Sequence, residues 1–385
     1  MPPIRSRPYS IVFLLVCLAT GGCVDSGSTA TATGRQIEGS TGYPRIVRLL
    51  DPAGVFGDRL LASSNARLFE SDDHGTTWRF VSRIPPVDGL TMRCCETIHV
   101  LPKPIGTLPA GTLLFAASYL VHGVPAVGIF ASADQGRSWS YRGTPIVRGA
   151  DGHGLWEPEF EIAADGALVM IWSDETDPRH SQKLVQIRTY DGIHWQDEKD
   201  TVSSDSFGDR PGMATVSHPR AGRFLMTYEV CGPAHDCAVF LRASPDGWNF
   251  GDPRELGVRI ETRNGDYLHS SPVHVWSPSP DSQDGEVVVV AKKILHRDGS
   301  TSPASGRKLF VNTHPDQAGF WTMIDAPVKV LDVARNACQN YSSALLPAPD
   351  GTSILELAGN FGPRGGCTLY VGRGPLFSTS ALVPP

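Results

Sequence analysis

Long apolar runs are scarce in this 385-residue chain. The run near the start, residues 11–19, is too short to span a bilayer, and no stretch keeps helical periodicity over several turns, so helices are expected to be few and brief. A surplus of positive charge is also missing. Lys and Arg number 34 against 40 Asp and Glu, a net charge of −6, and the basic residues are scattered, which argues against a nucleic-acid partner. None of the eight cysteines falls into the two-pair spacing of a zinc site, and no ligand spacing joins His153, His269 and His274. No transition metal is therefore expected, and nothing in the sequence signals a calcium site.

Turn punctuation, by contrast, is abundant, with 40 Gly and 31 Pro, and suits an all-β chain. The octapeptide Ser71-Asp72-Asp73-His74-Gly75-Thr76-Thr77-Trp78 returns as Ser132-Ala133-Asp134-Gln135-Gly136-Arg137-Ser138-Trp139. Looser copies start at Thr189, ending in Trp195, at Ser244, ending in Phe250, and at Thr313, ending in Trp321. Each reads as a hairpin tip: the Asp bonds turn amides, the Gly takes positive φ, and the aromatic residue covers the turn. Asp73, Asp134, Asp191 and Asp246 are therefore assigned to folding. Successive starts lie about 55 to 70 residues apart, the length of a four-stranded sheet plus a long loop, and the tip-less stretch after residue 330 adds one more unit. The fold expected is a single-domain, six-bladed β-propeller over residues 41–385. Strands are expected at residues 113–117, 167–172, 223–228 and 286–291. Residues 45–49 are expected to close the ring against the last blade around residues 368–371, since an open ring leaves two unpaired strand edges.

The first residues have the order of a secretory signal, with Arg5 and Arg7, the apolar run, then Thr20-Gly21-Gly22 before Cys23. Residues 1–22 are taken as that signal. Cleavage is either by simple signal peptidase or of a lipoprotein type with acylation at Cys23, so the chain is expected to be secreted or anchored to the cell envelope. Residues 23–40, rich in Ser, Thr, Gly and Ala, read as a flexible leader. Six further cysteines suit an oxidising compartment. Cys231 and Cys237 flank a turn-like spacer and are candidates for a loop clamp, and Cys338 and Cys367 are candidates for a staple in the last blade. Cys94 and Cys95 are adjacent, and either join each other or stay free.

In a propeller the inner strands converge on a central funnel, so residues off their ends can share a ligand. Glu157, in Leu155-Trp156-Glu157-Pro158-Glu159-Phe160, sits in stiff, aromatic-lined backbone that raises a carboxyl towards general-acid use. Glu229 ends the apolar segment Phe224-Leu225-Met226-Thr227-Tyr228-Glu229, just before the Cys231–Cys237 loop. Two facing carboxyls are the minimum equipment for glycoside hydrolysis, and their separation sets the stereochemistry. Trp156 is a candidate sugar platform, and Asp174, with Glu175, a candidate for orienting Glu157 or binding a hydroxyl. Hydrolysis needs no organic cofactor.

The octapeptides resemble the Asp-box, or bacterial neuraminidase repeat, of the sialidase superfamily, whose members are six-bladed propellers with these boxes away from the active site. Tyr43-Pro44-Arg45, Trp156-Glu157-Pro158, Trp172-Ser173-Asp174-Glu175, Thr227-Tyr228-Glu229, Ser270-Ser271-Pro272 and Asn340-Tyr341-Ser342-Ser343 resemble, in that order, the exo-arabinanases of glycoside hydrolase family 93. That resemblance implies a retaining mechanism with Glu157 as acid/base, Glu229 as nucleophile and Tyr341 lining the funnel. Arg45, Trp156, Asp174, Arg210 and His269 are the candidate substrate-binding residues. The rival reading is an exo-sialidase, in which three arginines drawn from Arg45, Arg210, Arg263 and Arg364 bind the sugar carboxylate and Tyr341 with Glu229 forms the nucleophilic pair. Against it, Arg45-Ile46-Val47 stands where the Arg-Ile-Pro of that family is expected. The alternative from another class is a non-catalytic carbohydrate-binding propeller, since the repeat marks a fold and not an activity. The expected partner is a polysaccharide or glycan, taken by a monomer.

Overall fold

The computed structural model describes residues 32–376, apart from 52, 150–152, 220–221, 280–281, 315–320 and 334–335. The signal, Cys23, the leader up to residue 31 and most of the fifth repeat lie outside the described residues. Among the described residues every regular element is a strand, and the strands form six sheets, the blades of a propeller. Their inner strands are Pro44–Leu50, Leu90–Val100, Leu155–Ile162, Arg210–Ser217, Val273–Ser279 and Ala344–Pro347, which begin blades 1 to 6 in chain order. Blade 4 is the largest, because Tyr267–His269 and Lys293–Leu295 extend its sheet.

Sequence decides which strands go inside. Leu168–Asp174, second in blade 3, is buried at every position and reads as one continuous run, as a strand covered on both faces must. Gln196–Val202, outermost in the same blade, opens with three exposed polar residues. No single central core exists; apolar side chains fill the seams between blades instead. Phe160 and Trp172 of blade 3 pack with Leu114 and Val127 of blade 2. On its other face blade 3 sets Ile171 and Leu184 against Met226 and Tyr228 of blade 4. Similar clusters fill the seams of blades 1 and 2, 4 and 5, 5 and 6, and 6 and 1.

The strand that closes the ring is Arg35–Ile37, not residues 45–49. It pairs antiparallel with Cys367–Pro375, Arg35 opposite Val371 and Ile37 opposite Leu369. Residues 45–49 instead lie in the inner strand of blade 1, with Ile46 and Val47 packed into the seams on either side. The difference is physical: an inner strand needs apolar residues on both faces, whereas the outermost strand buries only Ile37 and carries almost no hydrophobic signal. The leader is thus shorter than the composition indicated, since a strand falls within residues 32–40. Cys338 and Cys367 are joined within blade 6, Cys231 joins Cys237, and Cys94 joins Cys95.

The Asp–Gly–aromatic tips link the third and fourth strands of blades 1 to 4. In blade 1 the Asp73 carboxylate accepts from Thr77 N at 2.8 Å, Thr77 Oγ1 at 2.6 Å and Ser71 Oγ at 2.8 Å, and Trp78 Nε1 donates to Gly75 O. Blade 2 repeats the pattern with Asp134, Ser138, Ser132 and Trp139. Gly75 has φ +87°, and a Cβ there would lie 2.6 Å from Leu355 of blade 6, so the tip also seats one blade on the next. These bonds hold Asp73 and Asp246 down to about 2. A depressed carboxylate stabilises the fold above its unfolded pKa of about 3.9 and stops doing so as pH falls through the folded value. Asp73→Ala with Asp134→Ala is therefore expected to lower Tm at pH 7 and to flatten its decline between about pH 4 and pH 2. Thermal melts across that range check this; an unchanged acid slope contradicts it.

Candidate active site

Strand directions alternate within a blade, so the tips lie where each inner strand finishes, and the start of the inner strands faces the opposite side. There, every blade has left-handed backbone, at Tyr43, Cys95, Glu157, Met213, Ser271 and Ser342, with φ between 52° and 67°, joined by Ser270 in blade 5 and Asn340 in blade 6. In blades 2, 3 and 4 the turn is a bulge in the ladder, between Cys94 and Thr97, Trp156 and Glu159, and Gly212 and Thr215. Each such residue turns backbone or side chain towards the axis.

Glu157 and Glu229 meet in the pocket this creates. The pocket, of about 300 Å³, is lined by both acids together with Trp156, Glu175, Gln182, Arg210, Tyr341, Cys231 and the Cys94–Cys95 disulfide. Glu157 comes from the inner strand of blade 3, and Glu229 from the end of the second strand of blade 4. Ser173 Oγ donates to Glu157 Oε2 at 2.6 Å, and Met213 N approaches the same oxygen at 3.3 Å. Glu229 Oε2 accepts the N–H of Ser271 at 2.6 Å. Burial raises both carboxyls, Glu229 to about 7, and the charge of Glu157 raises Glu229 further while the Ser271 N–H opposes. Burial, then repulsion by Glu157, Tyr43 and Glu229, pushes the Tyr341 phenol up, so it stays a neutral donor. Lys292, buried below, has its ammonium 5.0 Å from the Tyr341 ring centre. Burial lowers it to about 8.

Trp156 and Arg210 are both pocket walls. Trp156 Nε1 donates to Glu175 Oε2 at 2.7 Å, and the other oxygen of Glu175 receives Arg210, which also reaches Ser181 and Gln182. The remaining candidates fall elsewhere. Arg45 lies beneath the floor, where it donates to Tyr43 OH at 3.2 Å and Ser342 Oγ at 3.0 Å and faces the lower channel. Asp174 points away from the pocket: it pairs with Arg148 at 2.7 Å and accepts from Thr176 N and Oγ1, which leaves no oxygen for a ligand. His269 stands beside the disulfide loop, 3.9 Å from Asp236, next to the Ser270–Ser271 turn that holds Glu229. Of the arginines proposed for a sialic-acid carboxylate, Arg210 alone reaches the pocket; Arg263 lines a separate recess and Arg364 is exposed on a turn of blade 6. Sequence reasoning missed Met213, Gln182 and Lys292, none of which belongs to a motif, and gave Ser173 no role although it lies in the Trp172–Glu175 segment. Glu229, Cys231 and Cys237 are the only metal-ligand cluster among the described residues, but both sulfurs are in a disulfide and cannot ligate as thiolates.

A larger cavity of about 640 Å³ fills the lower channel and contains Glu159 and Glu161. Those acids sit two apart on one strand, on one face, so they do not flank a substrate from opposite sides.

No family model matches the chain, and no curated protein matches it in sequence. Solved structures do. The family 93 α-L-arabinofuranosidase of Fusarium graminearum, solved with arabinobiose, aligns over 90% of this chain and 98% of its own with a TM-score of 0.71 and 21% identity. The α-L-arabinanase of Penicillium chrysogenum, also with arabinobiose, aligns over 87% and 94%, at TM-score 0.68 and 25% identity. The NanB sialidase of Streptococcus pneumoniae is more distant, at TM-score 0.53 and 11% identity over 89% of this chain and 70% of its own. The fold is that of the sialidase-like six-bladed propellers. Fold and paired acids together define a propeller-type glycoside hydrolase.

Gly154 makes room for the Trp156 wall, since a Cβ there would lie 2.0 Å from Cε2 of the indole. Gly154→Ala is expected to destabilise the protein by about 1–3 kcal/mol through overpacking. Urea unfolding measures this, and an unchanged midpoint would contradict the placement of the indole.

Proposed function

We propose that the protein is a retaining, exo-acting glycosidase that removes terminal arabinofuranose units from an arabinan-type polysaccharide. The observation that carries this reading is that Glu157 and Glu229, from adjacent blades, line one small pocket, where the charge of Glu157 is felt at Glu229. Hydrogen bonding favours a division of labour. The backbone N–H on Glu229 can only donate and so favours a carboxylate, with Arg210 and Lys292 as nearby cations. Glu157 has a backbone N–H too, from Met213, but at 3.3 Å against 2.6 Å for Ser271 on Glu229, and its closer partner Ser173 is a hydroxyl that donates or accepts and so tolerates a protonated acid. Glu157 is thus the acid/base and Glu229 the nucleophile. Arabinose as the sugar is supported by the two arabinobiose-bound neighbours, and exo action by a pocket at the small end of ligand sites. A sialidase reading lacks its three-arginine cradle, and a purely binding propeller gives no reason for two half-buried acids to share one small pocket. Export of the chain, through residues 1–22 with or without acylation at Cys23, is consistent with three disulfides. Fractionation of expressing cells checks this, and a cytoplasmic product would refute it.

The test is a screen with aryl α-L-arabinofuranoside, aryl sialoside and linear arabinan. Turnover of the arabinose substrates alone is expected, with Glu157→Gln lowering kcat by about 10²–10⁴-fold and Glu229→Gln abolishing turnover in a folded protein. Unchanged rates in either variant remove that residue from the mechanism. The acid must hold its proton, so activity falls as pH rises through the raised pKa of Glu157. Ser173→Ala deletes a bond that stabilises the carboxylate, raising that pKa further. The alkaline limb of kcat/KM is expected to move to higher pH, and a limb that stays in place or moves down contradicts the assignment.

A further inference from the structure

The pocket that holds the acids also contains a feature that hydrolysis does not require. Cys94 and Cys95, neighbours in sequence, are bonded to each other and line the pocket with Trp156, Glu157, Glu229 and Tyr341. Cys95 holds the left-handed position in blade 2 that Glu157 holds in blade 3, so the ring of turns that aims the acid also aims this disulfide inward. Bonding removes both S–H donors and locks two side chains that would otherwise rotate. What remains is a rigid, polarizable surface of sulfur and methylene. The indole of the pocket is already engaged, since Trp156 lies against Gly154 and has the Arg93 guanidinium 4.4 Å from its ring centre. Arg93 directly precedes the disulfide, so this strand sets a cation over the indole while Cys94 and Cys95 line the pocket.

We propose that the Cys94–Cys95 disulfide is a specificity-determining surface on which the C–H face of the terminal furanose packs, in the same pocket as the carboxyls. The proposal rests on the arabinose reading above. Preorganisation is its physical content: a locked apolar wall orients the ring without losing side-chain entropy on binding. The bond is expected to govern substrate affinity more than the chemical step.

The experiment compares wild type with the Cys94→Ala, Cys95→Ala double variant on arabinobiose and on an aryl arabinofuranoside. KM is expected to rise about tenfold on both, with kcat changed by much less. Thermal melts establish that the variant is folded. If it is not, folded wild type is reduced with a trialkylphosphine, which takes oxygen from one water while each sulfur gains a hydrogen. Peptide mapping of an aliquot then shows that the 94–95 pair has opened, and the same rise in KM is expected. An unchanged KM with that pair removed or opened overturns the inference and leaves the hydrolase reading standing. Failure of wild type to bind or cleave either substrate overturns the arabinose reading and the inference with it.

Discussion

Inward turns of left-handed backbone, at the head of every blade, are the constraint on which the funnel depends. None of them falls on glycine, so each carries a steric cost of about 1–3 kcal/mol that the surrounding structure must offset. What they supply is direction. Met213 and Ser271 aim their own N–H groups at Glu157 and Glu229, Glu157 is itself a member of the ring, and Cys95 brings the disulfide to the same depth. The acids are thereby fixed by backbone, which has fewer ways to relax than side chains do.

The offset comes from the seams between blades. Because apolar burial is distributed over every blade boundary, no blade can be well packed unless both neighbours are present, and the ring must close. Closure rests on a short strand, Arg35–Ile37, with one buried side chain and a few ladder bonds, helped by Ser40 Oγ, which receives the Leu369 N–H at 2.9 Å. The hairpin tips act on the far side, where each Gly allows its loop to seat on a neighbouring residue. The polar device at the tips and the apolar one in the seams therefore serve the same end, holding six sheets in fixed relation so that two of them can share a substrate.

Much of this was legible in the residues. The Ser-x-Asp-x-Gly-x-Ser/Thr-Trp repeats led to the blade count, and the two glutamates stood out for different reasons, Glu157 because it lies between Trp156 and Pro158, Glu229 because it ends an apolar segment just before the 231–237 disulfide. The closing strand was misread because an outermost strand needs little hydrophobicity. Asp174 was misread because a side chain at a strand end faces either the pocket or the neighbouring blade, and its partner Arg148 lies 26 residues away in sequence. Arg45 was misplaced by one layer for a similar reason, since its bond to Ser342 arises only once blades 1 and 6 meet. One signal went unused. Tyr43-Pro44, Glu157-Pro158 and Ser271-Pro272 place a proline after the left-handed residue in blades 1, 3 and 5, where proline disfavours the ordinary helical conformation of the residue before it. That pattern marks the funnel side of alternate blades.

The most direct test is the distance between the nearest carboxyl oxygens of residue 157 and the side chain at 229 in a crystal structure of Glu229→Gln with an arabinose oligosaccharide bound. Retention requires about 5–5.5 Å, with the terminal sugar lying between the two groups. A separation of about 6.5–9.5 Å would indicate inversion, and a sugar bound elsewhere on the propeller would contradict the shared site altogether.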